Sequence, residues 1–126
     1  MHEDSPSSLD VDSPYVDLAV EVFSMLADPT RVRIVLALNA GELSVNHLAD
    51  IVDKAPATVS QHLSKLRWAR IVLSRQEGTR VFYRLANEHV RGLVVDAVYQ
   101  AEHSLGNVPP HHRQQPATAQ GGIDAA

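Results

Sequence analysis

Residues 55–84 read APATVSQHLSKLRWARIVLSRQEGTRVFYR. The first part has the pattern of a helix over about 57–68. Val59, Leu63 and Leu66 recur at core spacing, while Thr58, Ser60, Gln61, Ser64 and Lys65 lie largely around the other side. Two short strands are expected next, over 71–75 and 79–85, around Gln76-Glu77-Gly78, a turn with hairpin chemistry. Between Lys54 and Arg84 the chain carries seven Lys or Arg and one acid, Glu77, a net +6 in a protein of net charge −4. A basic island in an acidic chain is a local electrostatic footprint. A helix followed by a basic hairpin suits a DNA groove and its flanking phosphates. Charge alone fits a solvated face on an ordinary enzyme equally well, so the helices upstream must decide.

Upstream, Asp28-Pro29 reads as an N-cap followed by a proline at the first helical position, opening a helix over 30–40 with Val32, Ile34, Val35, Leu36 and Leu38. Gly41 is a suitable stop. Ser44 caps a third helix over 45–52, with Leu48, Ile51 and Val52 expected to face inward. Asp53-Lys54-Ala55-Pro56 is a tight turn into the helix over 57–68. Two short helices joined by a tight turn, the second polar on one face, describe a helix-turn-helix, and the hairpin after it makes the motif winged. A first helix over 15–27 has two apolar stripes: Val16, Ala19, Val20, Phe23 and Leu26, then Leu18, Val22 and Met25. A helix apolar on two sides needs cover on two sides. Asn87 can cap a last helix, over about 88–104. The expected fold is mainly α with a small β-hairpin, in the order α-α-α-α-β-β-α.

With 126 residues the chain supports one domain. The sequence reads as a disordered acidic N-terminus (1–13), a DNA-binding and dimerisation domain (14–105) and a flexible His- and Pro-containing tail (106–126). So small a folded part has little core of its own, and a homodimer is the natural remedy. Residues 1–28 hold seven acids and no Lys or Arg, which keeps that end off DNA. No stretch is apolar and long enough to span a membrane, and the acidic start is not a signal peptide. With no Cys there is no disulfide framework or thiolate metal site. These features point to a cytoplasmic protein. No nucleophile–base arrangement or Gly-rich phosphate loop is visible, so the sequence reads as a non-enzyme with no small organic substrate.

Double-stranded DNA is the expected partner. Short polar side chains at Thr58, Ser60, Gln61 and Ser64 can reach base edges, and Lys65 can reach phosphate. Arg75 and Arg80 flank the turn of the wing, placed to grip phosphate or enter a minor groove. His62 borders the buried stripe and reads as a structural hydrogen-bonding residue.

The stretches MLADPTRVRIVLAL (25–38), LSVNHLAD (43–50), VSQHLSKLR (59–67) and GTRVFYRL (78–85) closely resemble the ArsR/SmtB family of winged-helix metal-responsive repressors. The resemblance covers 15–105. It implies a homodimer built on the first and last helices and an operator, often upstream of a metal efflux gene, that is released when metal binds. One of the family's metal sites uses thiolates that here read Ser44 and Asn46. Another uses four ligands on the last helix, of which only His89 and His103 are present. The match improves with the KmtR-type nickel/cobalt-sensing branch, through NEHV (87–90), AEH (101–103) and PHHR (110–113). Carried over, its ligands are His89, Glu102, His103, His111 and His112, and the effector is Ni²⁺ or Co²⁺, with Zn²⁺ as the alternative. Imidazole and carboxylate donors without thiolate suit these ions, and five such ligands favour six-coordinate Ni²⁺ or Co²⁺ over tetrahedral Zn²⁺.

His89 and His103 are fourteen residues apart, about 21 Å along a helix, so a single helix cannot bring both to one ion. Two antiparallel copies can. Glu102 points about 140° away from His89 on a regular helix. Two other functions compete: a repressor controlled by a partner protein or by nothing, and a metal-buffering protein whose His-containing tail is the active part.

Overall fold

The helix-turn-helix is built around two helix starts that the chain dictates locally. The computed structural model describes residues 9–106. These form two units, one ending at Arg91 and one beginning at Gly92.

In the first unit, α1 spans Val16–Leu26, α2 Pro29–Leu38, β1 Leu43–Ser44, α3 Val45–Val52, α4 Pro56–Trp68, β2 Val72–Glu77 and β3 Arg80–Leu85. The Asp28 carboxylate accepts from the Arg31 N–H at 3.0 Å, and Pro29 stands at the first helical position of α2. The Ser44 hydroxyl accepts from the His47 N–H at 3.2 Å and starts α3. Each cap satisfies an N–H that the first helical turn leaves without a partner.

At its other end α3 stops on Asp53, left-handed at φ 56°. The Lys54 N–H returns to the Ala49 carbonyl at 3.1 Å. Pro56 then restricts the residue before it to extended backbone. Ala55 duly lies at φ −63° and ψ 143°, and α4 begins. The turn of the helix-turn-helix is thus fixed by one left-handed residue and one proline.

The core lies where three helices meet the sheet. Ile34, Val35 and Leu38 of α2, Leu48, Ala49 and Val52 of α3, and Val59, Leu63 and Leu66 of α4 are all buried, with Ile71, Val72 and Tyr83. Ile51, expected inside, is 51% exposed. The inward stripe of so short a helix follows Leu48, Ala49 and Val52, and Ile51 falls beside it. In α1 only Leu26 is buried; Leu18, Val20 and Phe23 are more than half exposed.

The sheet has three strands in the order β1-β3-β2, all antiparallel. β1 is absent from the expected order. It pairs Leu43 with Tyr83 and Ser44 with Phe82, so the observed order is α-α-β-α-α-β-β-α, closed by α5, Glu88–Gly106. The hairpin turn is also shifted from the expected Gln76-Glu77-Gly78. The ladder continues to the Glu77↔Arg80 pair, and the loop is Gly78-Thr79. Gly78 has φ 62° and Thr79 is not left-handed. A two-residue loop with positive φ at its first position is the type II′ pattern, whose twist matches that of the strands.

Residues 9–13 of the acidic N-terminal stretch are described. Ser13 is buried, and its hydroxyl accepts from the Tyr15 N–H at 3.1 Å. At the start of α5 the Asn87 side chain accepts from the N–H groups of His89 at 3.0 Å and Val90 at 3.4 Å. In the second unit Val94 is buried, while Val98, Tyr99 and Leu105 are exposed. Among the described residues no helix is long and apolar enough to cross a membrane.

Candidate nucleic-acid interface

α4 presents two faces. Val59, Leu63 and Leu66 are fully buried, which turns Thr58, Ser60, Gln61, Ser64 and Lys65 outward, all five exposed. None of these five side chains makes a hydrogen bond or ion pair among the described residues, so their donors and acceptors remain free for an external partner. Pro56 opens α4 with no side-chain cap, leaving N–H groups at that end for water or a ligand.

The end of α4 carries no proline or glycine signal in the sequence. Arg70 is left-handed at φ 63°. The Arg70 N–H bonds the Arg67 carbonyl at 2.9 Å and the Ile71 N–H bonds the Leu66 carbonyl at 2.9 Å. This paired closure is a Schellman motif, and its accompanying apolar contact is supplied by the buried Leu66 and Ile71. It turns the chain from α4 into the wing. The Arg67 guanidinium reaches on to the Ser74 hydroxyl of β2 at 3.4 Å.

The outer face of the wing is charged around one ring. Alternation along the strands places Arg75 and Glu77 of β2 on the same face as Arg80, Phe82 and Arg84 of β3. The Arg75 and Arg80 guanidinium carbons lie 4.7 and 4.9 Å from the centre of the Phe82 ring, within cation–π range. The two arginines differ in company. Arg75 is held by Glu42, at 2.8 Å, and by Glu77, at 3.3 Å. Arg80 makes no ion pair among the described residues. Glu42, just before β1, escapes a reading of the sequence because its partner is 33 residues away. The hydrogen bond from Arg75 holds the Glu42 carboxyl below its ordinary range, against a smaller opposing effect of desolvation.

His62 has the structural role expected of it. Its Nδ1 accepts from Arg31 Nε at 3.0 Å and lies 3.9 Å from an Asp28 oxygen.

The metal candidates divide. His89 stands in the first turn of α5, Glu102 and His103 near its end, and all three are exposed. His111 and His112 lie outside the described residues. Among the described residues no group of three or more His, Cys, Asp or Glu is placed to hold one ion.

A helix-turn-helix with a free polar face on its second helix, followed by a hairpin wing, defines a winged-helix DNA-binding protein. Comparison with known proteins places it more narrowly. Residues 28–74 match the model of the bacterial regulatory proteins of the arsR family. The chain is 58% identical over 98 residues to the HTH-type transcriptional regulator KmtR of Mycobacterium tuberculosis, covering 78% of this chain and 75% of that one. It is 40% identical over 86 residues to the HTH-type transcriptional repressor SmtB of the same species, covering 68% and 64%. A homodimeric winged helix-turn-helix domain from Mycobacterium bovis, of a possible ArsR-family regulator, superimposes with a TM-score of 0.65 at 32% identity, covering 79% of this chain and 90% of that one. The chain belongs to the arsR family. It is a DNA-binding transcriptional repressor of the ArsR/SmtB type and not an enzyme.

Proposed function

We propose that the protein is a homodimeric repressor that reads a palindromic operator with α4 of each copy and releases it on binding Ni²⁺ or Co²⁺. The observation that carries the DNA half is the outward face of α4. Thr58, Ser60, Gln61, Ser64 and Lys65 are exposed and unpartnered there, beside a wing whose Arg80 has no acidic partner among the described residues. Ser60 and Gln61 lie toward the N-terminal half, the part of a recognition helix that usually enters the major groove. Lys65 and Arg80 serve phosphate. Arg75 serves it only when Glu42 and Glu77 let go. The protein works in the cytoplasm, where its operator is.

The sensor half rests on the donor set and on the likeness to KmtR. His89 and His103 would hold the ion, with Glu102, His111 and His112 completing the set. Imidazole nitrogens and a carboxylate fit Ni²⁺ or Co²⁺, with Zn²⁺ as the competitor. The lack of a ready-made three-ligand group among the described residues means that a second chain or the tail must contribute. A homodimer supplies the second chain, as two antiparallel copies of α5 bring His89 of one protomer toward His103 of its partner. Bound metal would link the subunits whose spacing sets the fit to DNA.

The rival reading is a repressor of identical DNA chemistry that answers to no metal. Operator binding by the full chain with and without each of Ni²⁺, Co²⁺ and Zn²⁺ separates the two. Release by Ni²⁺ or Co²⁺ is the expected result; affinity unchanged by all three metals leaves the metal-independent repressor.

A further inference from the structure

Arg31 reaches two helices at once. It projects from the first turn of α2, where its own N–H is taken by the Asp28 cap. One arm, Nη1, donates to the Met25 carbonyl in α1 at 3.2 Å and stands 3.1 Å from the Met25 sulfur. The other, Nε, donates to His62 Nδ1 on α4 at 3.0 Å. His62 sits between Gln61, exposed on the outer face, and Leu63, fully buried. Apolar packing at Val59, Leu63 and Leu66 holds α4 at its depth without direction. The bond to His62 is directional and so resists rotation and sliding of the helix.

We infer that Arg31, acting through His62, is the positioning residue that sets α4 against α1, and that operator reading requires a neutral His62 imidazole. The inference rests on α4 being the DNA-reading helix.

A guanidinium only donates, so Nδ1 must offer a lone pair. Protonation removes that lone pair and sets two cations against each other. The groups facing His62 decide where its proton leads. From α2 and its cap these are the Arg31 guanidinium and, 3.9 Å away, the Asp28 carboxylate. From α1 the neighbouring residue is Met25, which is uncharged and held by Arg31. On α4 itself the nearest charge along the helix is Lys65, exposed. Asp28 stays ionised in this range. The bond from the Arg31 N–H, the largest influence, holds its carboxyl below the ordinary value, with desolvation the next largest and opposing it. Protonation therefore exchanges an Arg31–His62 bond for an Asp28–His62 ion pair. α4 loses its tie to α1, and Gln61 moves with it.

The test uses the full chain, stripped of metal and kept in chelator. Its probes are a duplex selected by the wild type from a randomised pool and a scrambled duplex of equal length. The preference for the first over the second is measured from about pH 8 down to about pH 5, the window of imidazole titration. Taking the ratio cancels the general gain of positive charge in acid. The wild-type preference should fall by about tenfold, the scale of one lost hydrogen bond to a charged group. His62→Gln offers Arg31 an acceptor that cannot be protonated, and its preference should be flat with pH. Arg31→Ala should be flat as well, at a low level, with helical content retained. A pH profile shared by wild type and His62→Gln would overturn the inference while Gln61→Ala is still impaired. Full preference retained by Gln61→Ala would instead remove the reading of α4 itself.

Discussion

The Arg75 guanidinium closes on the Glu42 carboxylate, with Nε 2.9 Å from both oxygens and Nη2 2.8 Å from one of them. β3 lies between β2 and β1, so the pair reaches across the sheet and ties the middle of β2 to the residue just before β1. It also silences a cation in the region proposed to face phosphate. Glu42→Gln should free Arg75, tighten binding to any duplex and steepen the salt dependence by about one unit of log–log slope. Arg80→Ala should flatten that slope by about the same amount. Binding isotherms across a salt series measure both. An unchanged slope for Glu42→Gln would show that Arg75 never reaches the backbone. In acid the pair should fail in a defined direction. The folded Glu42 carboxyl is depressed, chiefly by its bond to Arg75, so its stabilising contribution is complete above the ordinary carboxylate range and lost as pH falls through the depressed value.

Gln61→Ala, and separately Ser60→Ala, should each weaken operator binding by roughly 1–3 kcal/mol and leave binding to random DNA nearly unchanged. Both side chains are exposed and make no bond within the described chain, so their removal costs the fold little. Equal losses on operator and random duplex would assign them to the backbone rather than to base edges.

How far the sequence reveals the molecule depends on the range of the interactions involved. Asp28 and Ser44 set helix starts through bonds within three residues, and Pro56 does so by restricting the residue before it; those starts are where the pattern placed them to within one residue. β1 is two residues long, too short for alternation, and it exists because β3 pairs with it some forty residues later. The Arg75–Glu42 and Arg31–His62 contacts are likewise long-range, and no local spacing announces them. The outward polar face of α4 was legible because its buried stripe was. The proposed metal site is the least legible element, since its donors belong to positions far apart on one helix and to the tail.

Arg70→Gly should stabilise the fold by about 0.5–1 kcal/mol. Arg70 holds φ 63°, which crowds the Cβ of an L side chain but not glycine. Glycine gives back part of that gain through the greater entropy of its unfolded chain. A raised urea midpoint with unchanged slope is the expected signature. A lowered midpoint would mean that the Arg70 side chain contributes more than its backbone strain costs.

Ser44→Ala should cost about 1 kcal/mol, the usual loss on removing an N-cap. Ser44 both caps α3 and pairs with Phe82 in the sheet, so the effect should appear as reduced protection of α3 amides in hydrogen exchange. Protection lost only in the wing would show that the sheet pairing, not the cap, is what the hydroxyl supports.

The proposed sensor would stand on two histidines at opposite ends of α5. Ni²⁺ or Co²⁺ should lower operator affinity with a coupling free energy of about 1–3 kcal/mol, and DNA should lower metal affinity by the same factor. His89→Ala and His103→Ala should each abolish that response and spare DNA binding without metal, because neither lies on α4 or the wing. The response should fade as pH falls through the imidazole range, since a ligating nitrogen must be unprotonated. That trend concerns metal-loaded protein, and working in chelator removes it. Deleting the chain after Asn107 isolates the contribution of His111 and His112: metal affinity drops if they are ligands and holds if they are not. Sedimentation of the metal-free protein should show a dimer, which would cover Leu18, Val20 and Phe23 of α1 and provide the second α5. A stable monomer at micromolar concentration would leave His89 and His103 about 21 Å apart on one helix, with no way to share an ion.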